Sequence, residues 1–193
     1  MSAAPRWPSE YGYAGLRMSA QEYLALGETQ DHYELINGVV CMSPKPTPRH
    51  QKIIQAIQRQ LERFIDANPG FQYFLDSDVR FSDNTVYEPD LSCYRPGRVS
   101  AMPRHLSEVP DLIIEILSPG TRAFDLTVKK DDYERYGVSE YWAIDPADAR
   151  VRCYRRQGEL LIESPVITDS LASTALPGFV LDVVPLRTLA QLQ

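Results

Sequence analysis

The run Leu112-Ile-Ile-Glu-Ile-Leu117 limits how this chain can fold more than any other segment. It is of strand length and almost wholly apolar, and Ser118-Pro119-Gly120 closes it. A strand of this kind has no face to offer to water, so it belongs inside a sheet covered on both sides. Glu115 interrupts the run. An ionised carboxylate there is costly unless it is paired, protonated or bound to a metal. Strand alternation puts Asp111, Ile113, Glu115 and Leu117 on one face. Asp111 and Glu115 lie roughly 13 Å apart at the usual rise per residue, too far to share one small ion. Glu115 therefore needs a partner from another element.

The flanking segments supply the rest of a mixed sheet. Ser19-Ala-Gln-Glu22 is a capping-box pattern and opens a short helix through Leu26. Tyr33 to Ile36 and Val39 to Met42 flank Asn37-Gly38, a hairpin signal, because both turn residues tolerate positive φ. Pro44, Pro46 and Pro48 break the backbone before a long helix from about His50 to Ala67, whose Ile53, Ile54, Ile57, Leu61, Phe64 and Ile65 recur with helical period. Strands are expected over Phe71–Leu75, Val79–Phe81 and Val86–Tyr94. After the Glu115 strand a helix is expected from about Asp125 to Tyr136, stopped by Gly137, and then a buried strand over Ser139–Ile144. Strand, helix, strand over residues 111–144 is a βαβ-like unit. Strands around Val151–Tyr154 and Glu159–Ile162, the segment Phe179–Val183 and a short helix after Pro185 complete the chain. The expected fold class is α/β (α+β), a mixed central sheet flanked by helices. Residues 1–17, rich in Pro, Gly and Tyr, read as an irregular arm, and 18–193 as one domain.

Composition excludes several function classes. The net charge of −6 argues against a protein that coats nucleic acid, though not against an enzyme that meets it on one face. Basic residues cluster at Lys45, Arg49, Lys52, Arg59 and Arg63, and at Arg150, Arg152, Arg155 and Arg156; both groups read as solvated faces. No apolar stretch is long enough to span a bilayer, and residues 1–13 lack a secretory pattern, so no membrane association and a cytoplasmic location are expected. Cys41, Cys93 and Cys153 are far apart and odd in number, as expected of reduced thiols.

Asp90 is the natural partner for Glu115. It follows Pro89 and precedes the apolar Leu91-Ser-Cys-Tyr94. Two carboxylates from neighbouring strands make a hard oxygen site suited to Mg²⁺ or Mn²⁺. The alternative is that Asp90 caps a turn and Glu115 pairs with an arginine. Lys129 falls near the buried stripe of Leu126, Tyr133 and Tyr136, whereas Lys130 is placed to pair with Glu134 on the outer face. A lysine turned inward beside a metal site can orient an attacking water; the alternative is a surface lysine that snorkels to solvent.

The ordered set Tyr33-Glu-Leu-Ile-Asn-Gly38, Ser43-Pro44, Arg49-His-Gln51, Glu88-Pro-Asp-Leu91, Pro110-Asp-Leu-Ile-Ile-Glu-Ile-Leu-Ser-Pro119, Arg122 to Lys129 and Tyr136-Gly-Val-Ser-Glu-Tyr-Trp-Ala-Ile-Asp-Pro146 resembles the Uma-two family, within the PD-(D/E)XK nuclease superfamily. The resemblance covers about residues 18–185. It implies a restriction-endonuclease-like fold, with Asp90 as the Asp of the PD motif and Glu115 as the acid of the second half-motif. The superfamily's lysine normally stands two residues after that acid, where this chain has Leu117. Lys129 matches the place to which the lysine has moved in this family. Glu34 matches an early acidic residue that could complete a second metal site or hold a water; alternatively it is an edge-strand glutamate without a partner. His50 and Gln51 also match; His50 lies one turn before Ile53 and Ile54, on the core side of its helix, and is either a buried histidine satisfied by hydrogen bonds or a supporting residue beside the site.

The function expected is thus a Mg²⁺- or Mn²⁺-dependent endonuclease acting on DNA. Asp90 and Glu115 hold the metal, with the Ile116 carbonyl as a further donor. Lys129 and Glu34 complete the catalytic set, and a homodimer serves double-strand cleavage. Two alternatives stay open. One is a non-catalytic dimeric module on a nuclease fold, which the displaced lysine and the acidic net charge favour. The other is a hydrolase of another phosphate ester, such as RNA or a nucleotide.

Overall fold

The computed structural model describes residues 12–27, 29, 31–99, 104–165, 167 and 169–191. The arm expected over residues 1–17 lies outside these as far as residue 11. The elements are α1 (Ala20–Leu24), β1 (Tyr33–Ile36), β2 (Val39–Met42), α2 (Pro48–Ala67), β3 (Gln72–Leu75), β4 (Val79–Arg80), β5 (Val86–Tyr87), β6 (Leu91–Tyr94) and β7 (Leu112–Ile116). There follow α3 (Arg122–Phe124), a π-helical turn (Asp125–Lys129), α4 (Lys130–Tyr136), β8 (Glu140–Ile144), β9 (Val151–Gln157), β10 (Leu160–Glu163), β11 (Ser170–Ala172), β12 (Val180–Asp182) and α5 (Val184–Ala190).

The apolar run is strand β7, buried at every position, in the interior of a six-stranded sheet of order β10-β9-β8-β7-β6-β3. Its pairing with β8 is parallel, as the βαβ reading requires, and the other pairs in that sheet are antiparallel. Leu112, Ile114 and Ile116 pack with Ile53, Ile57 and Leu61 of α2 and with Leu186 of α5. Ile113 and Leu117 face the other way, against Tyr133, Val138 and Tyr141. A second sheet, of order β2-β1-β5-β4, stands beside the first. Its hairpin turns through Asn37 at φ 49° and Gly38 at φ 78°, the left-handed pair that the Asn-Gly sequence supplies. Ser19 caps α1 through the full capping box, and Thr47 caps α2 by accepting from the His50 amide.

Two of the expected elements are corrected, and one strand was missed. The single strand expected over Val86–Tyr94 is two strands in two different sheets: β5 pairs with β1, and β6 with β3 and β7. Pro89 has no N–H to donate, so the ladder stops there and the chain crosses between sheets at Glu88-Pro-Asp90. The helix expected from Asp125 starts at Arg122 and carries the π turn before reaching Gly137, which is left-handed at φ 92°. Strand β11 was not foreseen, because its three residues bury only Leu171, too short a run to show a period.

Two arginines of the second basic cluster are also structural. Arg156 donates to the carbonyls of Val138 (2.8 Å) and Glu134 (2.6 Å), capping the C-terminal end of α4. Arg155 donates to Glu140 at 3.1 Å. Glu140 is fully buried and gathers the Ser173 hydroxyl (2.6 Å) and the amides of Thr174 (2.9 Å) and Ala175 (3.0 Å), tying the loop before β12 to the sheet. Among the described residues, no helix is long and apolar enough to cross a membrane.

Burial alone would raise the Glu140 pKa, but these donors and Arg155 more than offset it and hold it below its ordinary value. A depressed carboxylate stabilises the fold above the ordinary carboxylate range and loses that contribution as the pH falls through its folded value. Glu140→Gln should therefore cost about 2 kcal/mol in urea denaturation at neutral pH, with the deficit narrowing in acid.

Candidate active site

Strands β6 and β7 run antiparallel with Leu91 opposite Ile114. One residue beyond that pair the strands part, because β6 begins only after Pro89. Two side chains take up the backbone donors left there. The Asp90 amide donates to Glu115 Oε2 at 3.2 Å, and the Ile116 amide donates to Asp90 Oδ2 at 2.6 Å. Asp90 and Glu115 are thus fastened across the fork, each carboxylate satisfying the other's strand. Asp90 also receives His50 Nε2 at 3.1 Å, from the first turn of α2. Burial alone would lower the His50 pKa, but its bond to Asp90 and the charges of Asp90 and Asp76 hold it above the ordinary value. His50 Nδ1 is buried with no hydrogen-bond partner among the described residues.

Lys129 arrives from the helix above β7. Its ammonium lies 3.0 Å from Glu115 Oε1, 2.8 Å from Glu34 Oε1 and 3.8 Å from Asp125 Oδ1, with only 6% of the residue exposed. The Tyr87 ring stands 5.5 Å away. Lys129 closes the π turn, a helical defect found often at functional positions. Tyr133, four residues on along the same face, donates to the same Glu115 oxygen at 2.8 Å. Glu34 projects from β1 of the other sheet, and the Glu88 amide at the sheet crossing donates to it at 3.1 Å. The second sheet, the fork in the first and the helix all meet at this ammonium.

The electrostatics follow from burial. Desolvation would lower the Lys129 pKa, but Glu115, Glu34 and Asp125 together hold it well above the ordinary value, so it keeps its proton. Desolvation pushes Glu115 up; Lys129 opposes this, while Asp90, Asp125 and Glu34 add to it. Acids outnumber cations in the cluster, an imbalance that a further cation would relieve.

All four sequence candidates, Asp90, Glu115, Lys129 and Glu34, line one cleft of about 130 Å³, together with His50. Neither alternative drawn from the sequence describes these residues: Glu115 pairs with a lysine, and Glu34 has partners. Gln51 is exposed on α2 and does not line the cleft. Leu117, where the superfamily's lysine would stand, is buried among Tyr133 and Tyr141. Lys130 bonds Glu134 at 2.9 Å on the outer face, as its spacing indicated. Tyr133 and Asp125 were missed as site residues. Their spacing of four from Lys129 was the available signal, but it reads equally well as core and as solvent face.

Asp90 and Glu115 are the carboxylates that could hold a metal. Among the described residues, no three of His, Cys, Asp or Glu form a set able to hold an ion unaided. A pair of hard oxygen donors still suits magnesium or manganese, since magnesium keeps much of its water and takes only one or two carboxylates from the protein.

A family model described as "Uma2: Putative restriction endonuclease" matches residues 20–184. The crystal structure of "a putative nuclease belonging to DUF820" from Anabaena variabilis ATCC 29413 is similar, with a TM-score of 0.73 and 25% identity over 90% of this chain and 99% of that one. No curated protein matches.

Removing the ammonium leaves Glu115 and Glu34 buried without their cation. Lys129→Met should therefore cost about 3–5 kcal/mol at neutral pH. A carboxyl raised by burial, as Glu115 is, destabilises the fold as the pH climbs through the ordinary carboxylate range, so the deficit should shrink toward acid, where it binds a proton. Urea titrations across pH measure this.

Proposed function

The chain belongs to the Uma2 family of restriction-endonuclease-like proteins, and from that membership we propose that it is a divalent-metal-dependent endonuclease hydrolysing DNA phosphodiester bonds. The match to a family described as "Putative restriction endonuclease" and the likeness to the structure of "a putative nuclease" support a nuclease function. The finer reading is carried by one observation: a charged Lys129 bonded to both Glu115 and Glu34, beside an Asp90 that is fastened to Glu115.

In this reading Asp90 and Glu115 hold Mg²⁺ or Mn²⁺. When bound, the metal polarises the phosphate and lowers the pKa of coordinated water. The chain's own residues do the rest. His50 and the Ile116 amide fix the Asp90 carboxylate, and Tyr133 fixes that of Glu115. Lys129 stays protonated, so it serves by donating hydrogen bonds to the water or to the phosphate oxygens as charge develops, not by accepting the proton. Glu34 anchors Lys129 from the second sheet. Cutting both strands of a duplex would call for a two-fold homodimer, and a cytoplasmic site of action fits the reduced thiols.

A second reading, a binding module on a nuclease fold, draws on the same salt bridges. An ammonium already satisfies Glu115 and Glu34, and no three-ligand set stands ready. Calorimetry with Mn²⁺ separates the two: binding that disappears in Asp90→Ala favours the enzyme, and no heat at millimolar metal favours the module.

The activity test incubates purified protein with plasmid DNA, single-stranded DNA or RNA, with Mg²⁺, Mn²⁺ or chelator. DNA should be cut only with metal. Asp90→Ala and Glu115→Gln should abolish cutting, and Lys129→Met should slow it about 100- to 1,000-fold. Undiminished cutting by Asp90→Ala would sink the assignment, and cutting confined to RNA would move the substrate to another ester.

A further inference from the structure

A second cavity, of about 300 Å³, adjoins the cleft. His32 and Glu88 line both, and their side chains are bonded at 3.1 Å. The Glu88 amide donates to Glu34, which holds Lys129. The cavity therefore lies one residue away from the candidate active centre. Its size is at the lower end of small-ligand sites.

The lining has the chemistry of an acceptor. Asp31, Asp78 and Glu88 contribute three carboxyls; Arg104 is the guanidinium of the lining, Lys45 pairs with Asp31 from outside it at 3.6 Å, and His32 and His105 can act either way. Asp78 is half-buried, and burial pushes its carboxyl above the ordinary value. The Tyr23 hydroxyl donates to the Tyr33 carbonyl at 2.6 Å, and its contact with Asp78, together with the charge of His105, opposes that rise in part. A phosphate would be repelled here by the surplus of acids. An apolar ligand would strip water from the carboxyls and give nothing back. A flat ring that presents N–H groups would satisfy the acids and set its apolar faces beside Leu24 and Leu26 of the lining.

We propose that this cavity is a nucleobase subsite, taking a base of the substrate strand next to the scissile phosphate and preferring guanine. Guanine places its N1–H and N2 amino group side by side, matching the two oxygens of one carboxylate. Adenine and cytosine offer one amino group, and thymine one imide N–H. A base can enter only if it leaves the stack, so the favoured substrate is single-stranded or has the nucleotide flipped out. The identity of the ligand rests on the nuclease reading above; the acceptor character of the pocket does not.

Nucleosides carry no phosphate, so they probe the cavity apart from cleavage. NMR of the three histidine side chains should show His32 and His105 moving on addition of guanosine, with His50 still. Guanosine should bind at least tenfold tighter than thymidine, with inosine, which lacks the N2 amino group, in between. Asp78→Asn and, independently, His105→Gln should each weaken guanosine, whereas Asp90→Ala should bind it as the parent does. Short single strands carrying one guanosine or one inosine should repeat the order if the base is read within a strand. Equal affinity for all nucleosides, shifts centred on His50, or no shift at millimolar guanosine would overturn the proposal. Guanosine binding without any DNA cleavage would instead overturn the nuclease reading and leave the cavity as a guanine site; cleavage without guanosine binding would remove the cavity alone.

Discussion

One buried ammonium holds this molecule's acids together. Glu115 sits in a strand that is buried at every position, where an unpartnered charge would cost several kcal/mol. Lys129 supplies the counter-charge and is itself stable as a cation only because Glu115, Glu34 and Asp125 surround it. The three elements that carry these groups, β7, β1 and the helix between β7 and β8, are therefore bound by charge as well as by apolar packing. The second sheet touches the site through Glu34 and the Glu88 crossing, so its position beside the first has a consequence for the cleft.

The fork at Pro89 is the other half of the arrangement. A proline in mid-run ends the ladder, frees backbone donors on β7 and leaves Asp90 at the point where the strands part. The freed Ile116 amide then fixes Asp90, and the Asp90 amide fixes Glu115. The same interruption that weakens the sheet aims two carboxylates into one opening. The π turn plays a matching part on the helix, presenting Lys129 and Tyr133 to a single oxygen of Glu115.

Much of this was legible in the sequence, and the exceptions have physical causes. The periodicity of Ile53, Ile57 and Leu61, the Asn37-Gly38 turn and the apolar β7 announced their elements, because each depends on local chemistry alone. Asp90 and Glu115 stood out as charges in apolar runs. Lys129 could be assigned to an inward face, but its partners could not be named, since Glu34 lies some 95 residues away in sequence and is joined to it only by the packing of two sheets. Tyr133 passed for core because a tyrosine on an apolar stripe looks the same whether or not its hydroxyl meets a carboxylate. The division of Val86–Tyr94 between two sheets was signalled by Pro89, yet the alternation on either side reads as continuous. Arg155 and Arg156 read as solvent-facing because neither the buried Glu140 nor the carbonyls at the end of α4 are near them in sequence.

The proposed function stands on Asp90 and Glu115 as a divalent-cation site whose excess charge Lys129 offsets only in part. Anomalous diffraction from crystals soaked in Mn²⁺ tests it most directly. One manganese peak is expected at Asp90 and Glu115, with Lys129 still bonded to Glu34, and no such peak in Asp90→Ala crystals. A parent crystal with no manganese at the fork at millimolar concentration, or with manganese bound elsewhere and the fork unchanged, would contradict it.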